Sequence, residues 1–228
     1  CVVKMAKEIS DFMDITPDKQ RMDSLMVAAN IRNLSLLELF YTCVANLCKI
    51  MDERGTKIPD EQHHYIEKDD YNKCIYHKRD MDATERTVIV MKDADILIKI
   101  CDSTGDFDDT SEYQLLIRLL KERTIIDDDV SRRLRQKEEV ENPSEVLLNP
   151  SDPEATFRYK AGGKHLGYVG NVVEAVGEKS SLVIDYDYQQ NTYADNQFMK
   201  DYLNEKKIFL MVLLLLPMGH TAEKKTHV

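Results

Sequence analysis

The sequence predicts an α+β protein in which a helical N-terminal region is followed by a unit of strands and one helix. Two observations separate these regions. Six of the eight glycines lie between Gly162 and Gly219, whereas the first 150 residues contain only Gly55 and Gly105. Prolines at positions 143, 150 and 153 interrupt any helix at the seam. The 228 residues suffice for one large domain or two small ones.

Apolar residues at three- and four-residue steps predict three helices in the first region. The stripes are Leu36, Phe40, Cys43, Leu47, Ile50 and Met51; Val90, Ala94, Leu97 and Cys101; and Leu115, Leu116, Leu119 and Leu120. These stripes indicate buried helix faces, and no chemistry is assigned to them. The stretch from Ile125 to Leu148 contains runs of both charges and is expected to be a solvated connector.

The second region has the pattern of a β-hairpin followed by a helix. Residues 168–176 and 182–188 are rich in β-forming side chains and enclose a turn at 177–180. Thr192 or Asp195 is the expected N-cap of the helix. The expected buried face of this helix consists of Phe198, Met199, Tyr202 and Leu203.

Two aspartates in the second predicted strand are a possible cation site. Asp185 and Asp187 are two residues apart and therefore share a face of the strand. The favoured alternative is that they face solvent. In that interpretation the opposite, buried face consists of Leu182, Ile184, Tyr186 and Tyr188.

Charge and cysteine content exclude several classes of protein. The chain has 31 Lys plus Arg and 41 Asp plus Glu, a formal net charge of -10, which excludes binding to nucleic acid through a broad basic surface. Its five scattered cysteines favour reduced thiols and a cytoplasmic location. The longest apolar run, Ile208–Pro217, is about half of a membrane span, so no membrane contact is expected. Because the first residue is Cys1, we expect the chain to be a fragment.

A group of metal-binding residue types lies in the first region. Cys74 and His77 have the spacing Cys-x2-His, and His63 and His64 precede them. These four residues could form a zinc site, although their spacing matches no standard zinc finger. Ordinary surface or core positions are the favoured interpretation.

Positive charge, aromatic rings and glycines are concentrated at residues 157–165. The cationic residues there are Arg158, Lys160, Lys164 and His165. Such a stretch can contact a phosphate backbone, but an ordinary charged hairpin explains it equally well. Asp152 comes just before this stretch, and a carboxylate beside basic residues suits a metal ion held against a phosphodiester.

Three segments resemble the DDE transposases of bacterial insertion sequences: Asn149–Thr156, Lys164–Asn171 and Gln189–Asp195. The resemblance extends from about Gln20 to Lys206. It implies a helical N-terminal region and an RNase H-like catalytic core that cleaves DNA and transfers the strand. In this family three carboxylates bind two divalent cations, usually Mg2+. The implied partners are DNA, as transposon ends and target, and another transposase subunit.

The resemblance assigns one catalytic carboxylate to this chain. Asp152 matches the first family aspartate, which implies a catalytic and metal-binding role. The family's second aspartate, in a motif like Val-Ala-Asp-Gly-Ala-Tyr, and its later glutamate have no counterpart here, and Asp185 and Asp187 match no family position. A single aspartate cannot hold two ions, so we expect weak or absent Mg2+ binding and no activity.

The end of the sequence leads to a frameshift hypothesis. When the codons of Leu216–Lys225 are read one base out of frame, they permit Asp-Gly-Ala-Tyr and further residues of the family motif around its second aspartate. We therefore expect a helical region at 1–148, the start of an RNase H-like domain at 149–207, and an out-of-frame tail at 208–228. The predicted function is that of a truncated, inactive transposase. The alternative is a non-catalytic helical module that binds DNA or a transposase subunit.

Overall fold

The structure is a computed structural model that describes residues 2–13, 15, 19–77, 81–127, 131–160, 162–178 and 180–206. It confirms the α+β class, because helices are combined with antiparallel sheets. Ala29–Thr156 form one unit, called here the helical unit, and Cys1–Ala28 with Phe157–Val228 form the other, the sheet unit. The predicted out-of-frame tail at 208–228 lies outside the described residues.

The helices and strands follow one another along the chain, with the longest connections at residues 54–69 and 135–155. The helices are α1 (Val2–Phe12), α2 (Leu36–Glu53), α3 (Asp70–Asn72), α4 (Ala83–Thr104), α5 (Ser111–Arg123) and α6 (Asp195–Glu205). The strands are β1 (Gln20–Ala28), β2 (Thr124–Ile126), β3 (Arg132–Leu134), β4 (Thr156–Lys160), β5 (Gly163–Val176) and β6 (Ser181–Gln190). His63–Ile66 and Lys137–Glu139 form 3-10 turns, and Lys73–His77 form a π-helical turn.

Three long helices build the core of the helical unit, as their apolar stripes predict. Ser35 begins α2 with a capping box in which the Ser35 side chain accepts from the Glu38 N–H. Asp82 and Glu85 form the same motif at α4, and Thr110 caps α5. The largest fully buried side chains of these helices are Phe40, Val44, Leu47, Met51, Met91, Leu97, Leu116 and Leu119. Burial of each contributes about 1.5–3 kcal/mol, which is the main stabilisation of this unit.

Strand β5 is the centre of the main sheet. It pairs antiparallel with β1 from Gln20↔Ala175 to Ala28↔Gly167, and with β6 along the same residues. Because one stretch of β5 bonds to both strands, they occupy its two edges. The order β1-β5-β4 is completed by β6, which also pairs with β5, and α1 contacts β6. The predicted hairpin is therefore confirmed as β5 and β6.

Strand β1 lies in a stretch that was predicted to be part of the helical region. Its burial alternates, with Ser24 half-buried between exposed Asp23 and Leu25, as expected for a strand. Asn171 of β5 donates a hydrogen bond to Ser24 Oγ at 3.0 Å. This partner comes almost 150 residues later, so the local sequence pattern could not reveal the pairing.

The stretch expected to be a solvated connector is folded in part. Strands β2 and β3 form a hairpin, and Val146–Leu148 are buried. Arg133 bonds to Asp127 and Glu139 at 3.1 and 2.8 Å. The expectation was wrong because the opposite charges of this segment pair with one another and need not remain in solvent.

Two details of the C-terminal prediction were also wrong. Helix α6 buries Phe198 as expected, but Ala194 occupies its N-cap position, where neither Thr192 nor Asp195 lies. Tyr186 and Tyr188, expected to be buried, are 58% and 49% exposed. Tyr188 stacks on Tyr168 across the strands at 4.7 Å. No helix among the described residues combines the length and apolarity needed to cross a membrane.

Candidate functional site

Asp152 lies in a series of turns at the end of the helical unit. Asn149 is 8% exposed; its Nδ2 donates to the Arg32 carbonyl at 3.0 Å, and its Oδ1 accepts from the Ser151 N–H at 2.9 Å. The Asp152 N–H donates to the Asn149 carbonyl at 3.2 Å, and the Asp152 carbonyl accepts from the Ala155 N–H at 3.3 Å. This network of bonds fixes the backbone around a half-buried Asp152.

Helix α5 holds the same segment through one arginine. Arg118 donates to the Pro153 and Glu145 carbonyls at 2.7 and 2.9 Å. It also pairs with Glu122 at 2.6 Å, and the second oxygen of Glu122 accepts from the Leu147 N–H at 2.7 Å. Arg118 and Glu122 therefore position the chain on both sides of Asp152.

Replacing Arg118 with Ala is expected to loosen residues 145–153. The change removes hydrogen bonds from a charged donor to two carbonyls, each worth about 1.5–3 kcal/mol. Hydrogen exchange measured by mass spectrometry should show faster exchange in this segment and unchanged exchange in α2. Lys121→Ala, at an exposed position of the same helix, is the control and should change neither. Equal exchange in the Arg118 variant and the parent would contradict the positioning role.

The cationic residues that were predicted to contact a phosphate backbone lie on the hairpin of β4 and β5. Gly162 has φ +78 in the turn between them, a conformation that side chains with a Cβ rarely adopt. Lys160, Lys164 and His165 are exposed. The His165 ring Nε2 lies 3.2 Å from the Lys160 carbonyl, which links the two strands beside the turn.

The two faces of this hairpin carry different side chains. Because strand residues alternate between faces, Arg158 and Lys160 lie opposite Phe157 and Tyr159. The Phe157 and Tyr159 rings meet edge to face at 5.7 Å, and Lys164 Nζ lies 4.1 Å from the Phe157 ring centroid. Lys164 therefore belongs to the aromatic face, and the predicted basic residues do not form a single surface.

Asp152 and the basic residues fall in different units. Asp152 belongs to the helical unit, whereas Arg158, Lys160, Lys164 and His165 belong to the sheet unit. The sheet unit contains 13 Lys plus Arg and 13 Asp plus Glu, and the helical unit contains 18 and 28. The whole net charge of the chain therefore lies in the helical unit.

The aspartate pair on β6 does not have the environment of a shared cation site. Asp185 pairs with Lys206 of the segment after α6 at 2.7 Å, and its side chain is 18% exposed. Asp187 Oδ1 accepts from the Tyr188 N–H at 2.7 Å. The ion pair with Lys206 also means that Asp185 does not simply face solvent, as the favoured alternative held.

A third group of residues is brought together inside the helical unit. His64, Asp70 and Cys74 each offer one ligand atom, and these atoms all lie within 4.8 Å of one another. Of the four residues offered by the sequence as zinc ligands, His64 and Cys74 are in this group, whereas His63 and His77 are exposed outside it. Asp70 was missed, although its spacing of four residues from Cys74 places both on one helical side.

Asp70 is the centre of this group. It is 6% exposed, and its Oδ2 accepts from the Tyr41 hydroxyl at 2.6 Å, from Cys74 Sγ at 3.4 Å, and lies 2.7 Å from His64 Nδ1. Burial raises the pKa of Asp70, but the hydrogen bonds from Tyr41 and His64 outweigh it and the net pKa is lowered. The group is therefore a buried carboxylate held in its charged form by three donors.

The prediction that the cysteines do not form disulfides is confirmed for the thiols that the structure describes. Cys43, Cys48 and Cys101 are buried and free, and Cys74 is half-buried and also free of a disulfide. Burial raises the pKa of Cys43 and Cys48 to about 12 and that of Cys101 to about 11. These three thiols are therefore inert core residues.

Comparison of the chain with protein-family models, with curated proteins and with solved structures gives no match.

Proposed function

We propose that this chain is a transposase-like fragment that contacts DNA through the β4–β5 hairpin and does not cut DNA by itself. The observation that carries the proposal is the hairpin, on which Lys160, Lys164 and His165 are exposed and Lys164 lies against the Phe157 ring. Among the described residues, Lys160 and Lys164 have no carboxylate partner, so their charge is available to a phosphate. The resemblance of residues 149–195 to DDE transposases gives the hairpin its DNA context.

The distribution of charge supports a contact limited to this hairpin. The helical unit has 10 more acidic than basic residues, and such a surface repels a phosphate backbone. The sheet unit has equal numbers of both, so its exposed lysines are not offset by excess acid. Binding is then weak, driven by a few phosphates, and strongly salt-dependent.

The absence of cutting follows from the chemistry of two-metal catalysis. Two cations activate the nucleophile and stabilise the leaving oxygen, and several carboxylates must hold them. The resemblance assigns only Asp152 to this task within the 228 residues. Mg2+ bound there by one protein carboxylate would keep most of its water and dissociate readily.

Removing the two lysines is expected to weaken binding to duplex DNA and its dependence on salt. Fluorescence anisotropy with a labelled 30-base-pair duplex should give a plot of log K against log salt concentration. Lys160→Ala with Lys164→Ala should reduce its slope by about 2, since each phosphate contact contributes roughly 0.9. Lys92→Ala with Lys99→Ala, exposed positions on α4, removes equal charge and should leave the slope unchanged. Equal slopes for the two double variants would refute the hairpin contact.

A nicking assay tests the second half of the proposal. Supercoiled plasmid incubated with the chain and Mg2+ should remain supercoiled, with the same result for Asp152→Asn. Metal-dependent nicking that disappears in Asp152→Asn would show a working active site and contradict the proposal.

A protein-binding role for the helical unit is the second candidate. Its excess of 10 acidic residues suits a basic protein partner, such as another transposase subunit, better than DNA. Failure of the chain to bind duplex at any salt concentration would favour this candidate. A cytoplasmic location, where thiols stay reduced, belongs to both proposals.

A further inference from the structure

We infer that His64, Asp70 and Cys74 form a zinc-binding site in the helical unit, a function separate from the proposed DNA contact. Each residue offers one ligand atom within 4.8 Å of the other two, and both His64 Nδ1 and Cys74 Sγ face Asp70 Oδ2. Imidazole, carboxylate and thiolate are the three ligand types that proteins use for zinc, and three protein ligands leave a fourth position for water. Mg2+ and Ca2+ prefer oxygen ligands, so the thiol and the imidazole select against them.

Two of the three ligand separations in this cluster are close to those of a tetrahedral zinc site, and the third, between His64 and Cys74, is within 4.8 Å. Zinc bonds of about 2.0–2.3 Å at tetrahedral angles separate the ligand atoms by roughly 3.3–3.6 Å. Sγ of Cys74 and Oδ2 of Asp70 are already 3.4 Å apart. His64 Nδ1 and Asp70 Oδ2 are 2.7 Å apart and would separate by roughly 0.6 Å on binding. A small rotation of the His64 side chain, which is 35% exposed, can supply this change.

The protein around the cluster orients each ligand. The Tyr41 hydroxyl donates to Asp70 Oδ2 at 2.6 Å and fixes the carboxylate. The His64 ring lies on the Tyr65 ring, with centroids 4.2 Å apart. Outer hydrogen bonds and packing of this kind set the orientation of metal ligands and raise the affinity of the site.

Cys74 lies in a π-helical turn whose backbone is bonded by a side chain of α4. It belongs to the π-helical turn Lys73–His77, a type of turn found often at functional sites. Arg86 of α4 donates to the carbonyls of Cys74 and Ile75 at 2.9 and 3.0 Å. Arg86 thereby satisfies carbonyls that a regular helix would pair internally. Its guanidinium bonds to these backbone carbonyls and not to the Cys74 thiol.

Binding of zinc displaces the two hydrogens that now face Asp70, which are the Cys74 thiol proton and the hydrogen on His64 Nδ1. The Cys74 S–H loses its proton to solvent and the thiolate bonds to the ion. His64 binds as neutral imidazole through Nδ1, with its ring proton on Nε2. The carboxylate of Asp70 is already the charged form that a metal requires. The half-buried position of Cys74 and the partial exposure of His64 give the ion access from solvent.

Metal titration of the full chain tests this inference. After treatment with a chelator, the chain should bind one Zn2+ in competition with a chromogenic chelator, and Co2+ in its place should produce a thiolate-to-cobalt charge-transfer band. His64→Ala and Cys74→Ser should each weaken zinc binding at least about tenfold, and Cys74→Ser should abolish the band. The matched controls His63→Ala and His77→Ala should change neither.

Two outcomes would overturn the site. One is a parent chain that binds no zinc; the other is a His64→Ala or Cys74→Ser variant that binds zinc as tightly as the parent. Tyr41→Phe adds a test of the orienting hydroxyl, because it keeps the ring and removes only the bond to Asp70; zinc affinity should fall by about tenfold. Circular dichroism of each variant separates loss of ligand from loss of fold, and Cys74→Ser is nearly isosteric.

Discussion

Replacing Leu97 with Ala is expected to lower the free energy of unfolding of the helical unit by about 2–5 kcal/mol. Leu97 lies on α4 and is completely buried in the core that α2, α4 and α5 share. The change removes apolar area from the core and leaves a cavity that the packed helices around it fill only in part.

The neighbouring residue provides a matched control. Ile96 precedes Leu97 on the same helix but is 39% exposed, so Ile96→Ala should change stability by no more than about 0.5–1 kcal/mol. Denaturant unfolding read by hydrogen exchange in the α2 and α5 peptides measures both variants within the helical unit. Similar losses for the two variants would mean that the burial pattern of α4 is wrong.

In the sheet unit, Phe198→Ala is expected to cost about 3–5 kcal/mol. Phe198 is the buried anchor of α6, with 2% of its surface exposed, and its ring meets Tyr193 edge to face at 4.7 Å. Loss of the ring removes both the buried area and this aromatic contact, which adds about 0.5–1.5 kcal/mol to burial alone. Hydrogen exchange of β5 and β6 is the measurement, because these strands form the sheet of the same unit.

Tyr186→Thr is the control for the aromatic change. Tyr186 lies on β6 and is 58% exposed, and Thr retains the preference for a strand. Its exchange rates should therefore stay near those of the parent. If Phe198→Ala left β5 and β6 as well protected as Tyr186→Thr does, α6 would not contribute to the stability of the sheet unit.

Helices α2, α4, α5 and α6 could be predicted because their information is local. An apolar side chain every three or four residues forms one stripe, and the stripe of α2 lies in the core as predicted. The β5–β6 hairpin was predicted for the same reason, since its two strands enclose a short turn. In both cases the residues that determine the element lie within about 20 positions of one another.

What the sequence did not show depends on distant partners. Strand β1 becomes a strand because β5 offers it an edge, with Arg21 bonded to Glu174 at 2.5 Å. Asp70 is a buried carboxylate because Tyr41, 29 residues earlier, donates to it inside the core. The faces of the basic hairpin were likewise not evident, since residue types predict a charge but not which side of a strand it occupies.

The pairing of β1 with β5 has a consequence for how the chain folds as it leaves the ribosome. Residues 20–28 emerge early, but their partner residues 167–175 are made about 140 to 155 residues later. At roughly 5–20 residues per second, β1 waits about 7–30 s without its neighbour. The helical unit is synthesised completely in that interval and depends on contacts within its own residues. Nascent-chain folding should therefore start in the middle of the sequence, with the first strand held unpaired and open to chaperones until the last third appears.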